Sequence, residues 1–289
     1  MSEQIISAPV PIPLDMHIHM KKTRGGKIKT AAKSQSVLAI RLTVFFLLGL
    51  TIYGFYTFDY KNINFTEAVS GTVNNIKVMF GQPRLKYNTL PGTVNALLMT
   101  FSLGVLSTVF GAIIGLFGSL LCAGNIANPK ASGIVKSFVA FIRAVPTILW
   151  VLIFTVAAGL GSVAAVVGLT FHSAGYLIKA YAESIEVMDD GTIEALKASG
   201  ASYWQIIFQA VLPSSISSMT AWTFLRFEIN FTNAIAVGAA AGAGGIGFDL
   251  FMAGNFYVNL HEMGFITYIV VAAVVLLEIA ATRVKSMVK

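Results

Sequence analysis

The chain has 289 residues and a formal net charge of +7; 56% of its residues are hydrophobic and only 11% charged, against roughly 25% charged in an average soluble domain. A soluble globule of this size cannot bury that much apolar surface, because over half of any folded surface is already apolar. Composition therefore excludes an ordinary soluble enzyme, a disordered chain and, with Cys122 the single cysteine, a disulfide scaffold.

What remains is an all-α protein that crosses a membrane several times, each crossing needing about 20 mostly apolar residues for a hydrocarbon core of about 30 Å. Residues 1–36 are a basic tail with Lys21, Lys22, Arg24, Lys27, Lys29 and Lys33, and Pro9, Pro11 and Pro13 mark its first sixteen residues as disordered. The tail satisfies the positive-inside rule, and no nucleic-acid partner is expected from it. Residues 37–58 form the first span, an uncleaved anchor: the tail is longer than a signal n-region and no small-x-small cleavage site follows. In the connection 59–90, Phe65, Ala68, Val69, Val73, Ile76 and Phe80 recur at helical spacing and predict a short surface helix over Phe65–Gln82.

The second span covers 91–122. The third, 134–160, contains Arg143 and Pro146, and only Gly159, Gly161 and Ser162 separate it from the fourth, 161–182, which contains His172. Residues 183–213 do not span. The fifth span, 214–236, carries Arg226 and Glu228; a glycine-rich connection, 237–263, leads to the sixth, 264–282, with Glu278 near its end. Arg283, Lys285 and Lys289 follow that span, so both ends read as cytoplasmic and six spans satisfy the parity. The connection 59–90 then falls outside despite Lys61, Lys77, Arg84 and Lys86, a departure from the charge rule.

Segment 183–213 reads as a short helix–turn–helix. Thr192–Ser199 is good helix material, Gly200 suits the position after its end, Ser202 is a plausible N-cap for a second helix, and Pro213 breaks that helix and opens the next span. Physics alone leaves two readings open, an interfacial linker held by Trp204 and a docking element for a partner.

Glu194-Ala195-Leu196, three residues, Gly200, nine residues and Ala210-Val211-Leu212-Pro213 resemble the coupling loop of ABC-importer permeases, with Leu196 and Ala210 departing from the usual residue types. Phe141–Pro146, Gly159-Leu160-Gly161, His172–Gly175, Lys179, Glu183, Arg226–Asn230 and Gly242–Gly247 resemble the phosphonate branch of that family; Thr232 stands where the branch has a basic residue. The resemblance covers about residues 140–250. It implies a type I ABC-importer permease fold over 91–282, an inner-membrane homodimer, a cytoplasmic ABC ATPase pair and an extracytoplasmic solute-binding protein. It also implies coupling through Glu194, Ala195, Leu196, Gly200, Ala201, Leu212 and Pro213, and a phosphonate or related oxyanion as cargo. No cofactor is expected in this chain: it has no Gly-Lys-Ser/Thr phosphate loop, so ATP and Mg fall to the partner ATPase.

Ionisable residues within spans face the protein interior or a wet path. Arg143, His172, Arg226, Glu228, Asn230 and Thr232 are the path candidates, with intramembrane pairing, and for Arg143 snorkelling, as the competing readings. Arg226 and Glu228 are two apart and do not share a helix face. Gly242, Gly244, Gly245 and Gly247 serve a turn and close packing or a gate hinge. His17 and His19 are at best a weak metal pair, and no cluster has zinc-ligand spacing. The rivals are a permease of the same architecture for an amino acid or cofactor precursor, and an ion-coupled secondary transporter.

Overall fold

The computed structural model describes residues 35–58 and 63–288; most of the basic tail, with its expected disorder and its two histidines, lies outside them. All regular structure among the described residues is helical. The chain divides into two units, Met1–Phe65 and residues 66–289. The first contains α1 (Gln35–Thr57), apolar around its whole circumference, as a helix facing lipid must be.

The second unit begins with the body of α2 (Phe65–Gly81), the surface helix anticipated from spacing, and continues with α3 (Leu90–Cys122). Thr89 caps α3 by accepting from the Gly92 N–H, and Pro91 occupies the first turn, where no amide is needed. At 1.5 Å per residue its 33 residues reach about 50 Å. That is long enough to run from one end of the bundle to the other.

Where hydropathy predicts one third span, the chain forms two helices, α4 (Pro129–Ala144) and α5 (Thr147–Ala158), bent by 91°. Pro146 causes the break. It forces Val145 into extended backbone (φ −88°, ψ 125°) and offers no N–H to the Ile142 carbonyl. The Trp150 indole donates to that carbonyl instead, at 2.9 Å. Gly159 (φ +79°) and Gly161 (φ +142°) then turn the chain into α6 (Ser162–Glu186).

After α7 (Asp190–Ala198) comes α8 (Tyr203–Ile206), started by a reciprocal box between Ser202 and Gln205. Sequence places a break at Pro213. The structure runs on instead: Ile207–Val211 is one π-helical turn that feeds directly into α9 (Leu212–Ala240). The wider turn, in which the Leu212 N–H reaches the Ile207 carbonyl, accommodates the proline without ending the helix. α10 (Gly245–Asn255) follows at 45° to this path, and α11 (Leu260–Val288) closes the chain. Among the described residues four helices are long and apolar enough to cross a membrane alone, or up to six spans if each bent pair counts as one.

α3 and α6 make the central crossing. A Cβ at Gly111 would lie 2.8 Å from Ser173 Cβ, and one at Gly115 2.8 Å from Leu177 Cβ, so absent side chains set how closely these helices approach. α5 meets α6 in the same way at Gly168, where a Cβ would fall 2.5 Å from Val151 Cα. The valine backbone cannot yield, so Gly168→Val should lower stability by about 1–3 kcal/mol or more, read as a fall in melting temperature in detergent. Gly133→Ala, in open space on α4, should raise it by up to about 1 kcal/mol.

Candidate functional site: a cationic cluster around a buried arginine

Arg226 on α9 is 2% exposed. Its Nε donates to Ser173 Oγ on α6 at 3.0 Å. Ser173 Oγ lies 2.9 Å from Asn230 Oδ1, one turn beyond Arg226 on the same face of α9. Asn230 Nδ2 donates to Thr108 Oγ1 on α3 at 2.9 Å, and Thr108 Oγ1 donates to the Gly104 carbonyl at 2.7 Å. Ser173 and Asn230 are fully buried and Thr108 nearly so. A polar relay thus joins α9, α6 and α3 inside the bundle.

Tyr176 extends the site. Its ring lies 5.3 Å from the Arg226 guanidinium and 6.0 Å from that of Arg143, within the range of cation–π attraction. His172 feels the positive charge of both arginines and bonds the backbone of Val145, at the Pro146 break. Arg143, His172 and Arg226 therefore converge from α4, α6 and α9. The described residues form two ion pairs, Lys136–Glu186 at 2.9 Å and Lys179–Glu183 at 3.3 Å; neither includes Arg143 or Arg226. Arg226 Nη2, His172 Nδ1 and Thr170 Oγ1 are buried without a hydrogen-bond partner. Burying a guanidinium this way costs several kcal/mol; with the other His172 nitrogen bonded to Val145, its free Nδ1 is an acceptor, and Arg226 Nη2 is the buried charged donor left unpartnered.

The other path candidates sit elsewhere. Glu228 and Thr232 line a groove of about 290 Å³ with Glu278, between α9 and α11. The two-residue step from Arg226 carries Glu228 to a different face. Gly242, Gly244 and Gly245 have positive φ and make the turn into α10, while a Cβ at Gly247 would collide with the Ile235 carbonyl.

At the far end of α3, Glu194, Ala195 and Leu196 lie on α7. Gly200 (φ +83°) bonds the Lys197 carbonyl and Ala201 the Leu196 carbonyl, both at 3.0 Å, the paired bonds that close a helix on glycine. Ile193, Ile206, Ile207 and Val211 are buried with Leu120 and Cys122, and Leu212 packs near them. Pro213 follows the π-helical turn and is exposed. Glu194 faces outward, as do Tyr203, Trp204 and Phe208, whose rings pack on one another. The loop is tied to the bundle by one face and leaves an aromatic face bare.

Sequence reasoning singled out Arg143, His172, Arg226 and Asn230 but missed Tyr176, Ser173 and Thr108. Tyr176 was within reach: it lies four residues after His172 on one helix, so the two share a face. Thr108 had no local mark, because its role depends on which helix lies beside it.

Residues 115–288 match the family described as "Binding-protein-dependent transport system inner membrane component". The chain is 31% identical over 153 residues to the phosphate-import permease protein PhnE of Mycolicibacterium smegmatis, a stretch that is 53% of this chain and 29% of that one. It is 31% identical over 186 residues to the phosphite transport system permease protein PtxC of Stutzerimonas stutzeri, covering 64% of this chain and 67% of the relative. It thus spans under a third of the length of the first relative and two thirds of the second. Among solved structures, a chain of the MetNI methionine ABC transporter in an inward-facing conformation superposes with a TM-score of 0.61 at 25% identity, covering 70% of this chain and all of that one. The helical arrangement is that of an ABC-importer permease.

The relay makes a test of its own. Asn230→Leu leaves the Thr108 hydroxyl without its donor, while Ser173 keeps the Leu169 carbonyl, and should cost about 1–3 kcal/mol, visible as a lowered melting temperature. Adding Thr108→Val should restore part of that loss, because an apolar pair leaves fewer orphaned groups; additive losses would show that the two side chains are not coupled.

Proposed function

The chain belongs to the binding-protein-dependent transport system inner membrane component family, and on that premise we propose that it is the permease subunit of an ATP-driven importer for phosphonate or a related oxyanion such as phosphate or phosphite. The observation that carries the cargo class is the cluster of Arg143, His172 and Arg226 around Tyr176, with no ion pair to either arginine among the described residues. Guanidinium groups present planar pairs of donors suited to carboxylate, phosphate and phosphonate oxygens. An amino acid, the cargo named for the methionine transporter it resembles, brings an ammonium group as well, and the cluster offers that group two repelling cations. The likeness to the phosphate and phosphite permeases supports the same class.

In this reading both termini are cytoplasmic and two copies form the permease with an ATPase pair, which alone handles nucleotide. The loop from Glu194 to Pro213 seats on that pair through Tyr203, Trp204 and Phe208. Its buried isoleucines transmit the motion into α3 and α9. A solute-binding protein delivers cargo at the opposite face. The path then opens to one side and the other in alternation, Arg226 offering its unpartnered Nη2 donor to the passing anion while the Tyr176 ring lies beside both guanidinium groups.

A gentle detergent pull-down of the chain from its native membrane, followed by mass spectrometry, tests the assembly. A P-loop ATPase and an exported solute-binding protein that takes phosphonate, phosphite or phosphate are the expected result; a chain that purifies alone and moves solute under an ion gradient would refute it. In the reconstituted importer, Arg226→Met should cut oxyanion uptake at least about tenfold, roughly 1.4 kcal/mol, while melting temperature is unchanged or raised, since an apolar side chain of similar length removes a buried charge. A purely structural arginine would give the reverse. Gly200→Val places a β-branched residue at φ +83°, strain of about 1–3 kcal/mol; uptake should fall with normal membrane insertion and unchanged ligand binding by the solute-binding protein.

A further inference from the structure

Lys77, Arg84 and Lys86 sit on the connection that parity places outside, against the charge rule. The structure gives two of them a common purpose. The segment before α3 is pinned to the start of α11: the Arg84 N–H donates to the His261 carbonyl at 3.1 Å, and His261 Nδ1 donates to the Gln82 carbonyl at 2.7 Å. Beneath it the fully buried Glu262 accepts from the Tyr87 N–H at 3.1 Å and the Asn88 N–H at 2.7 Å. Tyr87 also stacks on Tyr257 at 4.2 Å.

These contacts enclose a cleft of about 640 Å³ whose wall includes Arg84, Lys86, Tyr87, Tyr257 and His261 and no acidic residue. Glu262, next in sequence to His261, directs its carboxylate to the Tyr87 and Asn88 amides. Neither Arg84 nor Lys86 forms an ion pair among the described residues; Lys86 Nζ lies 5.1 Å over the Tyr87 ring. The opposite wall is strained. Val258 has φ +46°, alone among the described non-glycine residues in being positive, and it is held there by the bonds of Tyr257 and Asn259 to the Met252 and Ala253 carbonyls. A β-branched residue in that region costs about 1–3 kcal/mol and persists where a site requires the shape.

We propose that this cleft is a second oxyanion site, at the end of the bundle remote from the coupling loop, which collects phosphite-class anions before they reach the inner cluster. For the identity of the anion it rests on the cargo reading above. Arg84 and Lys86 supply the charge and the charge-assisted hydrogen bonds, and the stacked tyrosines leave an apolar wall for an organic substituent. A wall of one sign concentrates the opposite ion near it.

The test is 31P NMR of phosphite, whose P–H doublet is clear of lipid phosphorus, with the purified full chain in phosphatidylcholine nanodiscs. The chain should broaden the doublet. Arg84→Gln with Lys86→Gln should reduce the excess width roughly fivefold or more, whereas Arg84→Lys with Lys86→Arg should keep most of it, because charge carries the attraction. Equal broadening by the glutamine variant, or none by the native chain, would overturn the proposal. So would phosphatidylglycerol abolishing the broadening at constant phosphite, which would make an anionic headgroup the ligand. The two readings fail separately. Should the recovered solute-binding protein take an amino acid while the glutamine variant loses phosphite, the cleft stands and the cargo reading falls; should it take phosphite while the variant still broadens the doublet, the cleft falls alone.

Discussion

A guanidinium held almost completely out of solvent, with one nitrogen unpartnered and no carboxylate within ion-pair distance among the described residues, sets the terms for the rest of this bundle. In a bilayer there is no water to satisfy a stray donor, so a polar group at depth must be answered by protein or by cargo. Ser173 answers part of Arg226 and Asn230 and Thr108 extend the relay, with Ser173 and Thr108 coming from helices brought close by something else. The glycines of α3 let α6 approach, the proline at 146 turns α4 so that Arg143 and Val145 reach His172, and Tyr176 fills the space between the two guanidinium groups. Remove the close approach at Gly111 and Gly115 and Ser173 moves away from its partners; the polar relay depends on absent side chains.

Both departures from straight helices follow from one rule. Proline removes an N–H and pushes against the carbonyl four residues earlier. At Pro146 the orphaned carbonyl, that of Ile142, is taken up by the Trp150 indole, and the chain breaks by 91°. At Pro213 a π-helical turn absorbs the strain and the helix continues. The same residue type thus gives a sharp bend in one place and an uninterrupted rod in the other. The difference matters to the proposed mechanism: a continuous path from Ser202 to Ala240 can carry a displacement of the coupling loop to Arg226 and Asn230 as one body.

The two ends of α3 are built on opposite principles. At the end near Cys122 the 194–213 segment packs its isoleucines inward and leaves tyrosine, tryptophan and phenylalanine bare, which is the chemistry of a protein-docking face. At the end near Thr89 the chain is cinched by a buried carboxylate and lined with basic and aromatic groups. Between them lies the cationic cluster. In the proposed function this asymmetry is a direction: charge at the receiving end, donors in the middle, an apolar surface where the motor attaches.

Much of this was legible in the amino-acid order alone. Apolar runs mark the helices, because the bilayer imposes length and composition on any segment that crosses it. Gly200 and Ser202 mark the helix–turn–helix of segment 183–213, because helix ends obey local hydrogen-bonding rules. Arg143, His172, Arg226 and Asn230 stand out because polar residues in apolar runs are rare. Tertiary structure alone decided the rest. It chose which of those polar residues meet and sent Glu228 and Thr232 to another groove. It recruited Ser173, Thr108 and Tyr176, set the angle at Pro146 and the continuity at Pro213, and folded an apparent charge anomaly into a cleft. Those outcomes depend on how closely helices approach and at what rotation. That is a property of surfaces in contact, which residues far apart in the chain create only once they are packed.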